Sequence, residues 1–284
     1  MFVSVNGVRL FFDVVGEKLH IEGAGLRERP ALICLHGGPG GDHQSLRPDF
    51  DRFASRCQVV YFDQRGGGRS EHGPESGWTL DQWADDVAAF CDALGVVKPI
   101  IIGVSGGAIV TANYLARHPG HARAGILVNA CARLDRDEMI AGFGRLGGPA
   151  ASDAARNMYL RGTAEDFPAF MQHCLPHYAR RPAPPMTGLG RTSINFAVSR
   201  HFFTTGAEGF RFDLRGKIKA VTCPVLALAG KHDPVTRPEW GRELADAMTP
   251  GLCEFVLYDE ASHAVANDVG EPFYAAVEAF IDRV

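Results

Sequence analysis

A chain of 284 residues, 46% hydrophobic and 22% charged, holds enough apolar material for one large core and is long for a single domain without an insertion. Its net charge of −4 leaves no basic footprint for nucleic acid or an anionic membrane. No apolar run approaches the roughly 20 residues of a membrane span, the N-terminus shows no basic leader pattern, and seven scattered cysteines without a C-x-x-C pair read as buried free thiols, so a cytoplasmic protein is expected.

Val3–Val5 and Val8–Val14 flank Asn6-Gly7, a pair suited to the turn of a tight hairpin. Residues 18–30 are polar and glycine-containing, a loop or an irregular hairpin. Ala31–Leu35 is a short apolar strand running into His36-Gly37-Gly38-Pro39-Gly40-Gly41, whose Gly38-Pro39 bond is a candidate for cis geometry. Cys57–Phe62 is a second strand, running into Asp63-Gln64-Arg65-Gly66-Gly67-Gly68-Arg69-Ser70. Thr79 or Asp81 suits the N-cap of a helix in which Leu80, Trp83, Val87, Phe90, Cys91 and Leu94 recur at three- and four-residue spacing. Val97–Ile102 reads as a buried strand, and Ala108–His118 as a helix closed by Pro119-Gly120. Ala124–Val128 is a further strand.

The alternation then stops. Residues 132–215 carry glycine clusters, a proline run and aromatic-rich helical patches at Phe167–Tyr178 and Ile194–Phe203. They read as a helical insertion, with the glycines at 142–148 and 187–190 as hinge candidates. A strand at Pro224–Ala229, a helix at Pro238–Met248, a strand at Cys253–Tyr258 and a helix at Pro272–Ile281 complete the chain. This order predicts an α/β core of residues 1–131 and 216–284, built on a mainly parallel sheet with helices on both faces. Functional loops of such a sheet lie at the carboxyl ends of its strands.

Between the buried strand and the helix sits Gly103-Val104-Ser105-Gly106-Gly107. G-x-S-x-G in a strand–turn–helix context is a nucleophile elbow, which presents the hydroxyl of Ser105. A serine nucleophile needs a base, and the base an orienting acid, in the chain order acid then histidine. The loop after Leu226–Ala229 carries Asp233, and the loop after Phe255–Tyr258 carries His263. Ser105 is therefore read as nucleophile, His263 as base and Asp233 as orienter, with Asp259 or Glu260 as substitutes for the acid. Two backbone N–H groups must meet the developing oxyanion, and Gly106 and Gly38 are placed to supply them. His36 is read as a hydrogen-bonding structural residue, and Asp63 and Arg65 as scaffold. No P-loop, dinucleotide fingerprint or zinc-ligand spacing is present, so neither cofactor nor metal is expected.

On these motifs the chain resembles the α/β-hydrolase superfamily over nearly its full length and, through His36–Gly40, Asp63–Ser70 and the elbow at 103–107, its proline iminopeptidase group. The resemblance implies an eight-stranded sheet, a helical cap between the sixth and seventh strands, no cofactor and serine acyl transfer. Two positions depart from the group's pattern. A tryptophan usually follows the nucleophile, where this chain has Gly106. A cap glutamate usually precedes H-[YF]-F by two residues, where this chain has Ser199 beside Arg200. A cation there repels a substrate ammonium. The expectation is a serine hydrolase of small, mostly apolar esters, amides or lactones. A proline iminopeptidase using Glu165, Asp166 or Glu208 is the alternative, and a non-hydrolytic lyase, oxygenase or receptor the third reading. Phe143, Phe196, Phe202 and Phe203 are the candidate pocket aromatics. The partner is a small molecule, and the oligomeric state is not legible.

Overall fold

The computed structural model describes residues 1–23, 25–182, 191–205 and 208–284. Asn6 and Gly7 take φ of 47° and 77°, the positive pair a type I′ turn requires, and fold β1 (Phe2–Val5) back on β2 (Val8–Val15). Two short strands, β3 (Leu19–Glu22) and β4 (Gly25–Glu28), pair antiparallel as a separate sheet, with Leu19, Ile21 and Leu26 exposed. The strands β5 (Ala31–Leu35), β6 (Gln58–Phe62), β7 (Ile100–Val104), β8 (Ala124–Val128), β9 (Val225–Gly230) and β10 (Cys253–Tyr258) join β1 and β2 in one sheet. Among the described residues this sheet has eight strands in the order β1-β2-β6-β5-β7-β8-β9-β10, antiparallel at β1/β2 and β2/β6 and parallel elsewhere.

Alternate residues of each strand feed two cores, one on each face. Ile33, Leu35, Val60, Phe62 and Ile101 join α1 (Leu80–Ala93) and α2 (Gly106–Arg117), while Leu32, Cys34, Val59, Tyr61 and Ile102 join Phe53 and α8 (Glu271–Arg283). Thr79 caps α1, its side chain accepting the Gln82 N–H. The apolar stripe of that helix is buried as predicted except Leu94, which lies past its end and is 37% exposed. The predicted strand at Val97 starts only at Ile100, because Lys98 turns at φ 51° and Val97 is left in solvent. All seven cysteines are free, six of them buried.

Between β8 and β9, the sixth and seventh strands of the sheet in chain order, lie α3 (Arg136–Leu160), α4 (Phe167–His173) and α5 (Phe196–Arg200). Of the expected hinge glycines, Gly142, Gly144 and Gly147 are helical within α3, and only Gly148 breaks its dihedrals, at φ 71° and ψ −164° before Pro149. The candidates at 187–190, like Pro184 and Pro185, lie outside the described residues. Among the described residues the cis X-Pro bond is at Arg47–Pro48, and Gly38–Pro39 is trans.

Buried polar groups knit the loops after β5 and β6. Arg65 forms a two-pronged bond with Asp86 of α1, both contacts at 2.8 Å, and donates to the Asn6 carbonyl at 3.0 Å. Asn6 and Gln82 also donate to Asp86, each at 2.9 Å, so this carboxylate takes four hydrogen bonds where almost no solvent reaches it. His36 Nε2 accepts the backbone N–H of Gln64 at 3.0 Å, which puts its proton on Nδ1, 3.0 Å from the Gly37 carbonyl. Asp63 accepts the N–H groups of His43 and Arg69. Burial opposes its ionisation, but the His43 ring at 2.7 Å and the neighbouring His36 outweigh that and hold its carboxyl below the usual range.

Removing one partner of the buried Arg65–Asp86 pair strands a charge, so Asp86→Ala is expected to lower stability by about 3–5 kcal/mol in urea unfolding; a loss near the ~0–1 kcal/mol of an exposed pair would contradict this reading. Burial also holds the His36 imidazole below its ordinary pKa. The unfolded chain therefore binds a proton at this residue that the folded protein refuses once pH falls below about 6.5. Stability should drop from about pH 6.5 downward through this group and be untouched by it above about pH 7.5. The urea midpoint of His36→Asn is expected to fall less steeply with acid than that of the parent, and equal slopes would refute the assignment.

Candidate active site

The chain leaves β7 at Val104 and enters α2 through Ser105, which has φ 54° and ψ −120°. Such backbone costs a non-glycine residue about 1–3 kcal/mol and persists only where its surroundings over-determine it. Here the Ser105 N–H donates to Val128 O at 2.8 Å, and the Ser105 carbonyl accepts from Ala108 and Ile109 at 2.9 and 3.1 Å, opening α2. Helix and strand approach closely at the glycines. A Cβ on Gly103 would lie 2.3 Å from the Gly107 carbonyl oxygen, and one on Gly107 would lie 2.4 Å from that of Leu35.

Two more strand ends converge on this turn. The loop after β9 carries Asp233 and the loop after β10 carries His263, both buried. His263 Nδ1 stands 2.7 Å from Asp233 Oδ2, and its Nε2 stands 2.9 Å from Ser105 Oγ. Asp233 Oδ1 accepts the N–H groups of Val235 at 2.7 Å and Thr236 at 3.0 Å, and Oδ2 accepts the Thr236 hydroxyl at 2.8 Å. That many donors suit an ionised carboxylate, which takes the Nδ1–H of His263 and leaves the Nε2 lone pair facing the serine hydroxyl. Asp259 is instead exposed and paired with Lys231 at 2.8 Å, and Glu260 is exposed, so Asp233 is the acid that meets the imidazole.

Asn129 and Thr236 were not singled out from the sequence. Asn129, at φ 54° just beyond β8, is fully buried. Its side-chain amide donates to the His263 carbonyl and accepts the Gly230 N–H at 3.3 Å, bridging the loop of His263 and the end of β9. The available signal was an asparagine directly after an apolar strand, a residue type that tolerates positive φ.

Beside Ser105 lies a cavity of about 50 Å³ walled mainly by Trp83, Ile109, Leu134, Met139, Phe202 and Phe203. Gly38, Pro39 and Gly106 border it with backbone. Gly106 opens α2, so its N–H belongs to the first helical turn, where no carbonyl of the helix is available. A Cβ on Gly106 would sit 2.8 Å from the Gly38 carbonyl oxygen; the absent side chain lets the two backbones meet. Because His36 holds the Gly37 carbonyl, the Gly38 N–H across that trans peptide points away from His36.

Two of the four predicted pocket aromatics, Phe202 and Phe203, line the cavity. Phe143 does not: it is fully buried against Phe170 and Tyr178, in the packing between α3 and α4. Phe196 does not either, and packs edge-on against Phe167 with ring centroids 5.1 Å apart. Composition marked all four as apolar, but only tertiary packing separates lining from core. Of the alternative carboxylates, Glu165 is exposed and Asp166 is engaged by Arg161 and Thr163. Burial raises the Glu208 pKa, and this carboxylate accepts the Leu80 N–H at 3.1 Å, at the start of α1. None of the three lines the cavity. Arg65, the cation that does, is bonded to Asp86. Among the described residues no group of three or more His, Cys, Asp or Glu could hold a metal ion, and no helix is long and apolar enough to cross a membrane.

The family model described as alpha/beta hydrolase fold matches residues 30–266. The chain is 26% identical to a proline iminopeptidase of Heyndrickxia coagulans, over 100% of this chain and 98% of that protein. It is 28% identical to 3-oxoadipate enol-lactonase 2 of Acinetobacter baylyi, over 91% of each. The crystal structure of a proline iminopeptidase from Mycobacterium smegmatis superposes with a TM-score of 0.75 over 100% of this chain and 97% of that one, at 23% identity. With its elbow, sheet order and motif loops, the chain belongs to the α/β-hydrolase fold family and is a hydrolase similar to its proline iminopeptidase group.

Proposed function

We propose that the protein is a serine hydrolase of small, neutral, mostly apolar esters, lactones or amides, acting through Ser105, His263 and Asp233. The observation that carries this reading is the continuous relay of 2.7 Å and 2.9 Å contacts from Asp233 through His263 to a serine in strained elbow geometry. Ser105 Oγ attacks the substrate carbonyl carbon as its proton passes to His263 Nε2. The carbonyl oxygen takes up negative charge and is met by the N–H groups of Gly38 and Gly106. The bond to the leaving group then breaks, and His263 delivers the proton to the departing oxygen or nitrogen. Water attacks the acyl-serine, gives its proton to His263, and the collapse of that intermediate frees the acid and returns the proton to Ser105. Residues 132–215 are the cap over a core of 1–131 and 216–284, and Phe202, Phe203 and Met139 bring its apolar surface to the acyl group.

Substrate charge follows from the walls. A lining that offers no carboxylate, and whose Arg65 is already bonded to Asp86, disfavours an ammonium group in low dielectric. A space of about 50 Å³ admits an acyl group of a few carbons while the cap is seated. The full-length similarity to a proline iminopeptidase favours release of N-terminal proline as the second reading, and the lack of a lining carboxylate counts against it.

Hydrolysis of a short-chain aryl ester should exceed that of a prolyl anilide with a free amine by at least about 100-fold in kcat/KM. Ser105→Ala and His263→Ala should each lose at least about 10³-fold in kcat with the fold intact by circular dichroism. Efficient prolyl anilide turnover would establish the iminopeptidase. An unimpaired Ser105→Ala, or no covalent labelling of Ser105 by a fluorophosphonate, would end the serine hydrolase reading in favour of non-hydrolytic chemistry.

A further inference from the structure

One buried carboxylate outside the Asp233–His263–Ser105 relay joins the chain between β8 and β9 to the loop that carries His263. Asp268 is fully buried in α7 (Val265–Val269), five residues past His263. Its Oδ1 accepts the backbone N–H groups of Arg180 at 2.8 Å and Arg181 at 3.0 Å, and its Oδ2 accepts the N–H of Ser262 at 2.8 Å. The same two segments are stitched again on either side. Ala264 N–H donates to Tyr178 O at 2.7 Å, the Ser262 hydroxyl donates to His177 O at 2.7 Å, and Asn267 Nδ2 donates to Arg181 O at 3.0 Å. The Tyr178 ring stands edge-on to the His263 imidazole, with centroids 4.9 Å apart and planes at 79°. The two chain neighbours of His263, Ser262 and Ala264, are thus both held by residues 177–181 or by the carboxylate that grips them.

A buried carboxylate is tolerated when its lone pairs are filled, and leaving them empty costs far more than one ordinary hydrogen bond contributes. The two short bonds to Asp268 Oδ1 come from residues 180–181, beside a longer 3.4 Å one from Asn267, and the bond to Oδ2 comes from the loop of His263, so its burial is well satisfied only when both segments are in place. We propose that Asp268 is a positioning residue for His263, coupling the seating of residues 177–181 to the aim of the imidazole at Ser105. With the segment docked, Ser262 and Ala264 are pinned and Tyr178 braces the ring. With it undocked, the base loop loses its holders and Nε2 loses its aim. Closure of the cap and assembly of the base then become one event, so the nucleophile is not activated in an open, water-filled site. This inference rests on the hydrolase reading of Ser105 and His263.

Asp268→Asn keeps the shape but turns an amide N–H₂ toward backbone donors. The full-length variant is expected to lose at least about 10-fold in kcat for a short-chain aryl ester, with KM within about twofold of the parent. Exchange of the Ala264 amide, which has no bond to Asp268, should accelerate at least about 10-fold by hydrogen-exchange mass spectrometry or NMR. Both changes together support the proposal, and any other combination overturns it. Asn267→Ala, which removes the donor to the Arg181 carbonyl and a longer 3.4 Å bond to Asp268 Oδ1, is read by the same two measurements if Asp268→Asn does not fold. Fluorophosphonate labelling of Ser105 in the parent separates the two claims: no labelling means the hydrolase reading has failed, and normal labelling with unchanged variants means the positioning role alone has failed.

Discussion

At Ser105 a parallel strand must hand over to a helix within one residue, and that steric demand organises everything near it. The φ of 54° is maintained because the preceding strand and following helix touch backbone to backbone, and because Val128 O takes the Ser105 N–H. A side chain at 103 or 107 would push the layers apart and relax the turn. The same demand sets the start of α2, and with it the place of Gly106 beside the cavity. The Gly38 loop is then brought in against Gly106.

Loops at the carboxyl ends of strands have little apolar surface to fix them. In this chain buried polar groups take over that task. His36 holds the Gly37 carbonyl, and Arg65 with Asp86 draws α1 and its Trp83 toward the site. Asn129 ties the base loop to the end of β9, and Thr236 helps to fill Asp233. Each of these contacts is directional and lies where water does not compete, so each fixes a position more sharply than dispersion contacts do. Satisfied polar burial spread over several segments holds Asp233, His263 and Ser105 in register even though they come from three separate loops.

The chemistry around the serine is asymmetric. One side is polar and rigid, with relay and backbone donors; the other is an apolar wall contributed partly by residues between β8 and β9. The residues at 142–148 contribute to that packing unequally. Gly142 lies in α3 where a Cβ would come 3.3 Å from the Pro234 carbonyl oxygen, so the helix packs down on the loop that bears Asp233. Glycine in this stretch serves close packing at one position and a kink at Gly148, two roles that composition alone does not separate.

The sequence by itself determined the strand–helix alternation, the elbow, and the order serine, acid, histidine. Those rest on local periodicity and short-range sterics: Asn6-Gly7 must turn, an apolar run ending in G-x-S-x-G must bend, and Thr79 caps the helix that follows it. Asp233, read as the acid from its place after the strand at Leu226–Ala229, is the carboxylate that meets His263, while the assembled structure decided which phenylalanines face the cavity and that Asn129 and Asp268 bond the loop of His263. Those latter outcomes depend on contacts between residues far apart in the chain, where Phe143 and Phe202 look alike. What separates them is the position of a neighbouring strand or helix, and only the assembled sheet supplies that.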